Sequence, residues 1–203
     1  MYTDSTGFAP EWLKTAAIVG AVVGTVLVVA AITVLTMGVG TTILATSMAG
    51  AIIHGAAVGT LIGAGVGITA GGIIGGATSD WSKEGILTGM GIGFGGGAVI
   101  GAVIGGSVGA LQYSSAVSQW GSTATRTSQQ NMIHHFEKHV VNEGHKYLGR
   151  NVISYTKNAR AFYNANTSLL KLTSSGNYMI RGMYTGYSVG GFFGGSGLIY
   201  SFF

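Results

Sequence analysis

GAAVGTLIGAGVGITAGGIIGGATSDWSKEGILTGMGIGFGGGAVIGAVIGGSVG, residues 55–109, decides the architecture of the first half of the chain. Glycine returns at every fourth position, first at Gly55, Gly59, Gly63, Gly67, Gly71 and Gly75, then at Gly85, Gly89, Gly93, Gly97, Gly101, Gly105 and Gly109. Inside a helix in water each glycine costs about 1 kcal/mol against alanine. A strict four-residue repeat makes sense where a bare helical stripe must meet another backbone, as in the small-xxx-small packing of apolar media. One polar island, Asp80-Trp81-Ser82-Lys83-Glu84, separates the two ladders. They read as an antiparallel helical hairpin over residues 41–77 and 85–117, a glycine zipper suited to a membrane or a dry bundle. A soluble Gly-rich spacer is the competing reading, but spacers carry no period.

The apolar character extends upstream. Residues 16–35 hold no charge and are long enough to cross a bilayer core; a buried core helix of a soluble bundle is the alternative. Pro10 suits the first turn of that helix. Residues 1–14 form a polar, turn-rich junction without the basic start of a signal peptide. Export by another route is expected if the chain leaves its cell. Cysteine is absent, which excludes disulfides and cysteine-metal sites.

Charge is scarce, 8% of residues against about 25% in ordinary soluble domains. Residues 126–203 nevertheless carry eight Lys or Arg against two Glu, a net of +6. That tail is a small basic module, the sign expected for a polyanionic partner. The sequence therefore divides into a hydrophobic helical region, 15–120, a Ser/Thr-rich linker, 121–130, and a C-terminal domain, 131–203. Apolar residues recur at helical spacing over 131–147 and again over 152–164, with Asn151 or Ser154 as the cap of the second helix. Beyond Asn177, short aromatic and β-branched runs separated by glycines predict strands over 178–184, 187–193 and 198–203, turning at Gly186 and at Gly194-Gly195-Ser196-Gly197. The expected class is α+β: membrane-associated glycine-zipper helices, then two helices with a three- to four-stranded antiparallel sheet.

Chemistry-bearing residues lie in the tail. His134, His135 and His139 cluster on its first helix beside Glu137 and Lys138, with His135 and His139 one helical turn apart. Histidine as general base or acid, with Lys138 for phosphate charge, suits RNA cleavage, where a 2′-hydroxyl is deprotonated and a leaving oxygen protonated. A solvated, mildly basic helix face is the plainer reading. The HExxH order of zinc proteases is absent, so no metal and no cofactor is expected. Arg181 is the one charge after Lys171 and can grip a phosphate from the first strand, or simply face solvent. Tyr200 and Ser201 point to opposite faces of the last strand, and alternation leaves open which one faces the site.

Two resemblances follow. Tyr2-Thr3-Asp4-Ser5-Thr6-Gly7-Phe8-Ala9-Pro10-Glu11-Trp12 and the glycine-rich run after it resemble the region following the core of RHS/YD-repeat polymorphic toxins of bacteria. With Met1 at this junction, the resemblance implies a detached toxin tip. The tail resembles barnase/colicin/RelE-like toxin ribonucleases through His135-Phe136-Glu137-Lys138-His139, Tyr155…Ala159…Phe162 and Gly197-Leu198-Ile199-Tyr200-Ser201-Phe202-Phe203. That likeness implies a metal-independent ribonuclease using His139 or His135, Lys138, Arg181 and Ser201. Where the family commonly places threonine this chain has Ser201, and the usual Asp before the last turn glycine is Ser196. The implied partners are RNA, plausibly tRNA, an acidic immunity protein, and the lipid bilayer that the helices help to cross; the implied place of action is a target cell's cytoplasm. A pore-forming toxin, or an integral membrane protein with a non-enzymatic basic domain, is the alternative.

Overall fold

The computed structural model of the protein describes residues 10–36 and 46–203. The junction before Pro10 and the expected start of the first ladder helix at residue 41 lie outside the described residues. The chain is α+β and divides into two compact units: Met1–Gly38 with Ile52–Ala110, and Val39–Ala51 with Leu111–Phe203.

The first unit is built from α1 (Glu11–Thr36), α2 (Met48–Thr78) and α3 (Lys83–Ser118), the first turn of α2 and the last turns of α3 belonging to the second unit. All three are long and apolar enough to cross a membrane, with 18-residue windows of mean hydropathy 2.7, 1.8 and 1.7. The two ladders face each other. Gly55 meets the backbone of Gly105, Gly59 that of Gly101, Gly63 that of Gly97, Gly67 that of Gly93, Gly71 that of Gly89 and Gly75 that of Gly85. A Cβ on any of these would run into the opposing carbonyl oxygen, so the approach exists only because the side chains are missing. The reversal between α2 and α3 uses Asp80 and Trp81 at φ 52° and 59°, with Trp81 N–H donating to Gly76 O at 2.7 Å. Ser82 then caps α3, its Oγ accepting from Gly85 N–H at 3.1 Å.

The second unit holds the last turns of α3, then α4 (Ser128–Phe136), a π-helical stretch (Glu137–Asn142), a 3₁₀ turn (Lys146–Leu148), α5 (Val152–Ala165) and a second 3₁₀ turn (Thr167–Leu169). Strands β1 (Lys171–Leu172), β2 (Tyr178–Tyr184), β3 (Tyr187–Phe193) and β4 (Ile199–Phe202) form one antiparallel meander in chain order. The expected helix over 131–147 is corrected: regular α geometry stops at Phe136, and a π turn and a 3₁₀ turn replace its second half. At the next helix both candidate caps act together. Asn151 Oδ1 accepts from Ser154 N–H at 2.8 Å, and Ser154 Oγ accepts from Asn151 N–H at 3.1 Å.

The core of this unit joins Trp120, Met132, Phe136, Leu148, Tyr155, Phe162, Ile180, Phe193, Ile199 and Phe202. Packing starts at Leu111, ten residues before the compositional boundary at Gly121, because Tyr113, Ala116 and Trp120 are all buried. Polar groups inside it are mostly paired, Asn131 Oδ1 being left without a hydrogen bond among the described residues. Trp120 Nε1–H donates to Thr156 Oγ1 at 2.8 Å, Tyr155 O–H donates to Phe202 O, and Asn131 Nδ2 donates to Gly121 O and Tyr200 O.

The β2–β3 hairpin closes through Thr185 and Gly186, both left-handed at φ 48° and 86°, between the paired residues Tyr184 and Tyr187. This is the two-residue turn whose twist matches the strands, and a β-branched residue is its poorest first member. Thr185→Asn is expected to stabilise the unit by about 1 kcal/mol. Thermal unfolding of the full chain, followed by near-UV circular dichroism, measures it.

Candidate active site

Sheet register sorts the side chains. Arg181 pairs with Gly190, Met183 with Ser188 and Phe192 with Ser201, so Arg181, Ser188, Gly190 and Ser201 share one face. Ile180, Val189, Phe193 and Phe202 are buried on the other. Ser201 rather than Tyr200 is thus on Arg181's side of the sheet, and its Oγ lies 3.3 Å from His135 Nδ1.

The π turn shapes what stands opposite. Glu143 N–H donates to Lys138 O, five residues back, at 3.0 Å, and His145 N–H donates to His139 O at 3.0 Å. The wider turn leaves the His135 and His139 rings nearly parallel, 9° apart with centroids at 5.7 Å. Trp120 stacks on the far side of His135 at 5.9 Å, and Phe203 tilts against His139 at 5.7 Å. A π turn inside a helix is commonly a mark of function.

A cleft of about 410 Å³ opens beside this stack. His139, Glu143, His145 and Tyr147 form one wall; Arg181, Ser188 and Gly190 form the other, closed by Phe203. Gly190 makes room for the Phe203 ring, which a Cβ there would approach to 2.8 Å. Of the expected site residues, His139 and Arg181 meet in this cleft. His135 and Ser201 pair next to it, and exposed Lys138 is not part of its wall. Sequence reasoning missed Glu143, His145 and Tyr147, whose signal was the spacing His139-x-x-x-Glu143-x-His145.

The two histidines differ in what they can do. Burial, with neighbouring His134 and His139 adding to it, pushes His135 from 6.5 down to about 3. It is neutral at pH 7, stacked between Trp120 and His139 with its Nδ1 beside Ser201 Oγ. His139 is also depressed by burial, but the Glu143 hydrogen bond and charge oppose the shift. His139 Nδ1 lies 2.7 Å from Glu143 Oε2, and the same hydrogen bond holds the Glu143 carboxyl below its ordinary range. An ionised carboxylate accepts only, so His139 carries its proton on Nδ1 and keeps a lone pair on Nε2. That is the arrangement of a base oriented by an acid, the logic of catalytic triads.

The depressed His135 has a consequence for stability. The unfolded chain takes up the proton first, so stability falls as pH drops below 6.5 and stops falling near 3. After allowance for partial exposure, the loss on going from pH 7.5 to 5 is about 1–2 kcal/mol. His135→Gln is expected to flatten this acid limb in thermal unfolding of the full chain.

Comparison with protein-family models, with curated proteins and with solved structures returned no significant match.

Proposed function

We propose that the protein is an antibacterial toxin tip whose C-terminal unit is a metal-independent endoribonuclease. The observation that carries this reading is the meeting of His139, oriented by Glu143, with Arg181 across one cleft from separate elements. His139 Nε2 takes the 2′-hydroxyl proton, Arg181 holds the crowded phosphate, and His145 stands on the same wall to return a proton to the leaving oxygen. The net +6 of residues 126–203 draws RNA towards the cleft. An acidic immunity protein fits the same charge.

The hydrophobic unit is read as the delivery device, a glycine zipper that enters a bilayer. Ile18, Val22, Val26, Ile62, Val66, Ile100 and Val103 are all exposed, a coat that a hydrocarbon phase covers and water does not. Trp12 and Trp81 stand exposed where α1 begins and α2 turns into α3, beside the Lys14–Glu84 ion pair at 2.8 Å. Aromatic residues next to charges at helix ends suit a membrane–water interface. The same coat favours the second reading, a membrane-disrupting toxin in which α1–α3 are the weapon.

Induction of the chain inside bacteria separates the two. Ribonuclease action gives growth arrest with new RNA ends before any loss of membrane potential. Immediate depolarisation with intact RNA favours the membrane reading.

A further inference from the structure

His139, Glu143 and His145 bring two imidazole nitrogens and a carboxylate oxygen within 4.8 Å of one another. His139 Nδ1 is 2.7 Å and His145 Nδ1 is 3.6 Å from the same oxygen, Glu143 Oε2. We infer that these three side chains form a binding site for a divalent first-row transition ion such as Zn²⁺. Four observations support it. The donor set, two histidines and one glutamate, is that of open zinc sites, whereas Mg²⁺ and Ca²⁺ select oxygen alone. Zinc bonds of about 2.0–2.1 Å at tetrahedral angles place ligand atoms roughly 3.3 Å apart. The distances here bracket that value, and the exposed Glu143 side chain is free to rotate to meet it.

His145 Nδ1 is itself buried and makes no hydrogen bond among the described residues, Glu143 Oε2 standing 3.6 Å away, too far for one. The backbone also prepares the trio: the hydrogen bond from His145 N–H to His139 O and the left-handed Gly144, at φ 74°, fold His145 back over His139. The ion takes the place of the proton shared between His139 and Glu143, leaving its fourth position open to the cleft.

Metal on Nδ1 moves the remaining ring proton of His139 to Nε2 and removes the lone pair that a general base needs. Zinc is therefore an inhibitor of cleavage, a consequence that rests on the ribonuclease reading; binding itself does not.

The test is calorimetric titration of Zn²⁺ into the metal-free full chain in detergent at pH 7.5. One equivalent is expected to bind, with His145→Ala and Glu143→Gln each weakening it at least about tenfold and His134→Ala leaving it unchanged. Near-UV circular dichroism of each variant checks its fold, and Glu143→Gln alters only an exposed side chain. No saturable binding by the folded chain, or binding that Glu143→Gln leaves intact, overturns the inference whether or not the protein cuts RNA.

Discussion

His139→Ala is expected to lower RNA cleavage by the full chain about 100- to 10,000-fold, the range for losing a positioned general base. Arg181→Ala removes the cationic wall of the cleft, and a similar loss is expected from the missing phosphate contact. Two controls separate chemistry from folding. Lys138→Ala, at an exposed position outside the cleft wall, is expected to cost less than tenfold. Glu143→Gln keeps the size of the side chain but loses the ionised partner of His139 Nδ1. Its expected signature is a displaced pH profile as well as a slower rate, because the imidazole loses both its orientation and its compensating charge.

The second large effect lies in the hydrophobic unit. Gly67 and Gly93 meet backbone to backbone, and valine at either position puts two methyl groups where a carbonyl oxygen now sits. The helices must separate towards the ordinary 8–10 Å interaxial distance, at a cost of about 1–3 kcal/mol for each substitution. The chain has no cysteine, so spin labels on Ile62→Cys and Ile100→Cys, both exposed positions on α2 and α3, are the sole probes. Their separation is expected to rise in Gly67→Val and in Gly93→Val. It is expected to stay unchanged in Gly65→Ala and Gly96→Ala, where an added Cβ meets nothing within 4 Å.

Much of this architecture was legible before any coordinates. Strands β2 and β3 fall on the expected residues because aromatic and β-branched runs end at Gly186, whose positive φ the tight turn requires. Helix α5 ends within a residue of expectation, since its apolar period and its capping box point to the same bounds. The facing of the ladders followed from their period, which only a close backbone approach explains. The π turn in the histidine helix was not legible. Phe136 and Val140 keep a helical spacing whether the turn between them is α or π, so periodicity is blind to it. The cleft residues Glu143, His145 and Tyr147 depend on that turn and were missed with it. The Ser/Thr-rich stretch after Gly121 suggested a domain boundary by composition, yet Tyr113 and Trp120, with no polar signal to mark them, already belong to the second core. Strand β1 is two residues long and carries no pattern to find.

The most direct measurement of the central claim is incubation of the purified full chain with total RNA in the presence of a metal chelator, with sequencing of the new ends. Cleavage at defined sites that leaves 2′,3′-cyclic phosphates, abolished by His139→Ala and by Arg181→Ala, is the predicted result. RNA left intact by a folded chain, or cut equally well by both variants, contradicts the assignment of the His139–Arg181 cleft as a ribonuclease centre.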